Sequence, residues 1–441
     1  MERASSTPKG AAPVDRPTFD RFARRSLETF LGYGAATAGN ALLFLLVARA
    51  LGSTGTGVVS ASIALSTVLM LVVFGLLHLP NTYLGVKEPA ALGALLANSL
   101  LVAAVLGTAV SAAVFGFLVA IDVTFGAERH ELAVVLASVP FAAASRLVAT
   151  LVLARGRSLA FNVLYALRPG LSLAAVVTAF LVVDATASAA LIAFSVAQVI
   201  LLAVSLPAAG IRIASPSRRL LSASLRYALK AYAGTTMQLV NFRLDLFLVS
   251  AMRGASAAGI YSVAVVLAEL LWRISTAAGT ILMPRVATTE AAPVEFTLRV
   301  SRTVAFLVSV AAVAVSVVSA LLVLPVLGDD FERAFTPLVL LLPGAVALGI
   351  MDVLTSDLAG RGSPQYLSYA AALGLAVTLA VNPVLIPLWG ASGAAVASTL
   401  SYTASTLLVA VVFIRRFGVR PSELVLLRRT DMALRGRATT T

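Results

Sequence analysis

Twelve stretches of about twenty apolar residues follow one another along this chain with little between them, and that pattern restricts the fold more than any other feature. A helix needs about 20 mostly apolar residues to cross the hydrocarbon of a bilayer. Stretches of that kind fall near residues 27–48, 57–80, 91–120, 131–153, 163–183, 187–206, 226–250, 257–283, 297–325, 334–357, 368–388 and 391–414. Several are rich in Ala and Gly, as expected where helices pack closely in lipid. With 59% hydrophobic and 12% charged residues over 441 positions, the chain is too apolar to be hidden in one water-facing core. It reads as an all-α polytopic membrane protein.

Several function classes drop out once residues are located. The net charge of +13 is scattered between apolar blocks instead of forming one basic and aromatic face, so no nucleic-acid partner is expected. There is no cysteine, hence no disulfide framework or thiolate chemistry. His78 and His130 match no metal-ligand spacing. No Gly-Lys dipeptide occurs, which removes a phosphate-binding Walker loop. The loops are too short for a water-soluble catalytic domain, and the acidic "GDDFE" reads more simply as a cap at the start of the tenth segment.

The basic residues set an orientation. With the first segment entering from the cytosol, most of the 33 Lys and Arg fall in the tails and the cytosolic loops, and only Arg49, Arg129, Arg253 and Arg333 fall in outer loops. This is the positive-inside asymmetry, and it places both termini in the cytosol. The polar, Pro-containing residues 1–26 read as a disordered cytosolic tail without a signal-peptide core. Residues 415–441 read as a second basic tail along the inner surface, in which "SELVLLRR" could form a short amphipathic turn.

A repeat is hidden in the segments. Residues 47–66, "VARALGSTGTGVVSASIALS", align with 249–268, "VSAMRGASAAGIYSVAVVLA", so that Gly52 meets Gly254, Gly57 meets Gly259 and Ser60 meets Ser262. The same offset of 202 carries segments 2 to 6 onto segments 8 to 12 within a few residues. Pro140 falls one position from the register of Pro343, and "LARGRS" at 153–158 echoes "LAGRGS" at 358–363 after a short slip. The reading is two six-helix lobes, residues 27–206 and 226–414, joined by a basic cytosolic linker at 207–225. An even number of crossings per lobe gives both the same orientation, hence a pseudo-twofold along the membrane normal and a central cleft as the default substrate site.

On these residues the chain resembles a known family. "ARALGSTGTGVVSASIAL" at the first helical turn-around, "LRYALKAYAGTTMQLVNFRLDLFLVSAMRGASAAGIYSVAVVLAELLWRISTAAGTILMPRVA" at 225–287 and "LGDDFERAFTPLVLLLPGAVALG" before and within the tenth segment resemble the polysaccharide (oligosaccharide) flippases. Those belong with the multidrug and toxin extruders and the lipid II flippases in one superfamily. The resemblance implies a twelve-helix transporter of the bacterial or archaeal cytoplasmic membrane, with the fold of the multidrug and toxin extruders. It would move polyprenyl-(pyro)phosphate-linked oligosaccharide from the inner to the outer leaflet by alternating access, for cell-surface polysaccharide biosynthesis. It also implies no cofactor, possible coupling to a proton or sodium gradient, membrane lipids as surroundings, and polysaccharide polymerases or glycosyltransferases as possible partners.

Charges inside the apolar segments are the candidate site, since an ionisable group there needs a partner, an aqueous cavity or a ligand. Arg146 lies roughly 22 Å from the outer end of its helix and Arg168 roughly 8–12 Å from the inner end of its own, so the two share one level of the first lobe. Pro169 and Gly170 should kink or unwind the fifth helix beside them. Two guanidiniums without a nearby acid suit a phosphate-bearing headgroup, while snorkelling to the inner surface is the alternative. In the second lobe Glu269 and Arg273, four apart, can pair along one face. Arg243 and Asp245, two apart, point about 160° from each other, which suggests that one pairs with the eighth helix and the other faces the cleft. On the sharper reading Arg243 or Arg273 contacts cargo, while Asp245 or Glu269 takes part in ion coupling; on the plainer one the four neutralise each other. Asn40 and Gln238 could bond sugars or neighbouring helices, and Asp352 and Asp357 read as interfacial. Two rival functions follow. A cation-coupled multidrug antiporter of the same fold would prefer an acidic cavity, and a membrane polymerase or ligase would need a large outer loop that the sequence lacks.

Overall fold

The computed structural model describes residues 19–231, 233–288 and 294–428, and the regular structure among them is helical throughout. Among the described residues, ten helices are long and apolar enough to span a bilayer. Two of them, α1 (Phe19–Lys87) and α8 (Ala233–Thr288), are pairs of arms joined at a bend, at Gly52 and Gly254. Twelve crossings therefore appear as ten continuous helices. The φ values at the bends, +63° and +82°, lie where a Cβ is disfavoured, so glycine is what allows a sharp bend with no intervening loop.

The first lobe continues through α2 (Leu92–Ala120), α3 (Arg129–Ala137), α4 (Val139–Ala154), α5 (Ser158–Val182) and α6 (Ala187–Ala209). The expected fourth crossing is interrupted at Ser138, because Pro140 has no N–H to bond one turn back. Its far end is fixed by a capping box between Glu128 and Glu131. α5 continues through Pro169 instead of unwinding; the proline is buried against Gly39, where an added Cβ would lie 3.1 Å from its ring.

The stretch between the lobes is partly ordered as α7 (Arg218–Ala231). Its start is held by a two-way bond with a buried side chain of α2: Asn98 Nδ2 donates to the Ser217 carbonyl and Ser217 N donates to Asn98 Oδ1, each at 3.0 Å. The second lobe comprises α8, α9 (Val294–Val318), α10 (Leu324–Leu327), α11 (Phe335–Gly360), α12 (Gln365–Trp389) and α13 (Ala391–Phe417). A π turn over Ser319–Val323 joins α9 to α10, where Pro325 removes a backbone donor.

One terminal expectation changes, and the other gains packing partners. α1 begins at Phe19, inside the stretch read as a tail, and residues 1–18 lie outside the described part. The short α14 (Ser422–Val425) is a turn with Val425 and Leu426 exposed and one side chain held inward. Leu424 is buried, Ser301 donates to its carbonyl at 2.9 Å, and the fully buried Arg302 donates to the Glu423 carbonyl at 3.1 Å. Asp357, read as interfacial, is likewise fully buried, bonded to Thr297 at 2.6 Å and to Arg361 at 2.7 Å. The last turn of α11 packs deeper in the lobe than a hydropathy window suggests.

The lobes meet at the bends of α1 and α8. A Cβ on Gly57 would stand 1.7 Å from the Ala255 carbonyl oxygen, and one on Gly259 would stand 1.9 Å from that of Ser53. These contacts are reciprocal under the 202-residue offset, as a twofold axis requires. Ser60 and Ser262 touch through their hydroxyls at 3.2 Å, and Ser53 and Ser256 at 2.9 Å. Asp330, between α10 and α11, accepts from Ser53 N at 3.5 Å and from its Oγ at 3.4 Å, adding a carboxylate at the start of the second arm of α1.

Candidate functional site

From this seam the arms of α1 and α8 diverge, and the space between them is a cavity of about 330 Å³ walled by α1, α4, α5, α6 and α8. Matching positions of the two bent helices line it: Ala41 with Arg243, Phe44 with Leu246, Ser60 with Ser262, and Thr67 with Glu269. A larger crevice of about 510 Å³ between α2 and α3–α4 is lined almost wholly by apolar side chains, with no charged group. The charged chemistry belongs to the interlobe cavity.

Three arginines and one glutamate are among the described residues lining that cavity: Arg146 from α4, and Arg243, Glu269 and Arg273 from α8. Arg243 Nη1 and Glu269 Oε1 are 2.8 Å apart, with the side chains 30% and 29% exposed. The pair closes the two arms of α8 on each other. Glu269 therefore takes Arg243 as its partner and not Arg273, four residues along. Arg273 is exposed to the cavity and makes no ion pair among the described residues. Arg146 enters from the opposite wall, half-buried. The walls thus carry two positive charges with no ion pair among the described residues, an arrangement that attracts an anion.

The other candidates separate clearly. Asn40 is exposed and lines the cavity. Gln238 is half-buried and is not among the lining residues. Arg168 lies behind the wall: it is near enough to Arg146 for their charges to act on each other, and its guanidinium sits 5.6 Å from the Tyr165 ring. The two arginines do share one region of the first lobe, but Arg146 alone reaches the cavity.

Asp245 corrects the expectation that it or Arg243 would face the cleft while the other paired with the eighth helix. Arg243 does both. Asp245 turns the other way and is 2% exposed. It accepts from the Tyr261 hydroxyl, from Ser398 Oγ at 2.9 Å and from Leu246 N at 2.8 Å. Neutral donors satisfy it in place of a cation. Sequence reasoning missed Tyr261 and Ser398. The available signal was a tyrosine in an otherwise aliphatic arm just past Gly254, because a buried phenol needs a hydrogen-bond partner.

Comparison with known proteins follows this geometry. Residues 46–336 match the model of a family described as polysaccharide biosynthesis protein. No curated protein matches the chain. Among solved structures, the chain is similar to the lipid II flippase MurJ in an inward closed conformation. That match has a TM-score of 0.73 and 12% identity, over 91% of this chain and 89% of the other. It is also similar to an inward-facing multidrug resistance MATE family transporter of the MOP superfamily, with a TM-score of 0.65 and 11% identity, over 88% of this chain and 98% of the other. A MOP superfamily transporter from Pyrococcus furiosus Vc1, whose structure is described as having a binding pocket of reverse polarity, matches with a TM-score of 0.59 and 14% identity, over 90% and 95%.

Proposed function

This chain belongs to the polysaccharide biosynthesis protein family, and we propose that it carries a lipid-linked saccharide across the bilayer by alternating access, gripping the anionic head of its cargo between Arg146 and Arg273. The observation that carries this reading is the make-up of the interlobe cavity, in which three arginines face one glutamate that is already paired. Guanidinium forks match phosphate oxygens in both geometry and charge. A polyprenyl (pyro)phosphate supplies those oxygens, and its hydrocarbon tail can stay in the bilayer while the saccharide occupies the cleft.

With both termini cytosolic, in a bacterial or archaeal cytoplasmic membrane, the seam at Gly57 and Gly259 closes the outer side of the cavity. Reversing it requires the arms of α1 and α8 to part there and close at their other ends. Asp245, buried and without a cationic hydrogen-bond partner, is the group at which a proton or sodium ion would couple to that motion; Glu269, tied to Arg243, is the weaker candidate. A polymerase or glycosyltransferase would supply or consume the cargo. The cationic lining argues against a multidrug antiporter, whose cationic ligand would be repelled, and the short loops argue against a polymerase or ligase.

The test is lipid analysis of cells that lack the protein. A carrier-linked saccharide should accumulate on the inner leaflet, and Arg146→Ala or Arg273→Ala at preserved abundance should reproduce the accumulation. Normal outer-leaflet delivery in cells without the protein would dismiss the reading.

A further inference from the structure

Beside the main cavity is a recess of about 110 Å³ that shares Thr67, Arg243, Glu269 and Arg273 with it and adds Phe242 and Trp272 to the wall. At 10–15 Å³ for each water-sized group, that volume holds roughly seven to eleven such groups, the scale of one sugar ring and not two. The indole in its wall is fixed from behind. Trp272 Nε1 donates to Asp352 Oδ2 at 2.6 Å, and Ser275 Oγ donates to the same oxygen at 3.1 Å. Phe242 meets the Trp272 ring edge-on at 4.6 Å and 69°, and Tyr402 meets Phe242 at 5.6 Å and 79°. A half-buried indole with its polar edge satisfied and its tilt set by an aromatic collar offers a flat apolar surface beside charged groups.

Those charged groups have capacity left. Glu269 uses Oε1 for Arg243, and its other oxygen has no hydrogen bond among the described residues. Arg273 follows Trp272 directly in the chain and has no ion pair there. Thr67 adds a hydroxyl from the opposite lobe. A flat apolar ring edged by a carboxylate acceptor, a guanidinium donor and a hydroxyl is complementary to a pyranose, which has a C–H face and a rim of hydroxyls.

We propose that this recess is a monosaccharide subsite, in which Trp272 stacks on the first sugar of the cargo while Glu269 and Arg273 bond its hydroxyls. The inference rests on the reading above, because the phosphate held by Arg146 and Arg273 is what brings a sugar to Trp272. Asp352 is a positioning residue that acts through the indole.

The chain has two tryptophans, Trp272 and Trp389, so Trp389→Phe leaves Trp272 as the sole indole reporter. Purified full-length protein in nanodiscs is titrated with two probes of equal charge, farnesyl diphosphate esterified to one glucose and farnesyl methyl diphosphate. The sugar probe should bind about tenfold more tightly, the scale of one good aromatic contact, and should shift Trp272 emission where the methyl probe does not. Trp272→Ala should remove that advantage and leave methyl-probe binding intact. Trp272→Phe should retain most of it, and Asp352→Ala should lose part of it. Equal affinity for the two probes, sugar binding with no emission change, or a sugar preference that survives Trp272→Ala would each overturn the subsite while leaving the phosphate site standing. Failure of both probes to bind would overturn the phosphate site and the subsite with it.

Discussion

Carried back 202 positions into the first lobe, Arg243, Asp245, Glu269 and Arg273 of α8 fall on Ala41, Leu43, Thr67 and Leu71 of α1. Carried forward in the registers that hold there, 203 at Pro140 and 205 after the slip at "LARGRS", Arg146 and Arg168 fall on Gly349 and Leu373, neither of them charged. The seam behaves oppositely: Gly52, Gly57 and Ser60 meet glycine, glycine and serine. What the two lobes share is what close helix packing and a loopless bend require. What they do not share is the charge, so the arginines are not needed to build a lobe of this kind. Each lobe brings its own cations to a common cavity, and the cavity is asymmetric about an axis that its walls obey.

Five substitutions probe that contrast, from the largest expected effect to the smallest. Gly57→Leu strikes the shared part. Its side chain would begin 1.7 Å from a carbonyl oxygen, so the seam cannot close. Because the chain has no native cysteine, a Ser60→Cys/Ser262→Cys pair reports closure cleanly; it should cross-link readily in the parent and not at all with Gly57→Leu, and transport should be lost.

Asp245→Ala and Arg243→Ala then separate two neighbours of opposite role. Removing Asp245 leaves the buried hydroxyls of Tyr261 and Ser398 only each other, at 3.2 Å, so one donor loses its acceptor, which costs about 2 kcal/mol of stability. Removing the partly exposed Arg243 should cost about 1 kcal/mol or less yet depress transport more at equal abundance. Thermal unfolding in detergent and a flipping assay on the same samples distinguish them. Arg146→Ala should melt like the parent and lower transport about tenfold, the loss of one charge-assisted bond. Arg129→Ala, which removes an exposed pair with Asp122 at 3.3 Å, should change neither stability nor transport beyond about 0.5 kcal/mol.

The architecture was legible in the sequence because it rests on periodic and local signals. Apolar length located the crossings, and the matched glycines fell in the turns that the structure shows as loopless bends. The 202-residue register that aligned Ser60 with Ser262 is the register in which their hydroxyls touch. Charge placement was only half legible. Helical geometry required Arg243 and Asp245 to diverge, which they do, but it could not say which one faced the cleft. That choice depends on Tyr261, across the bend, and on Ser398, far along the chain, and neither contact leaves a periodic trace. Arg168 shows the same limit, since depth along a helix was readable and rotation about its axis was not. The burial of Asp357 and Leu424 was missed for a related reason: hydropathy windows do not register the bonds from Thr297 and Arg302 that draw polar segments inward.

The central claim concerns the cations that line the cavity, and binding tests it most directly. Farnesyl methyl diphosphate is titrated into purified parent protein and into an Arg146→Ala/Arg273→Ala variant whose melting temperature matches the parent. Two lost charge-assisted bonds should weaken binding by about a hundredfold or more. An unchanged affinity in that variant would contradict the account.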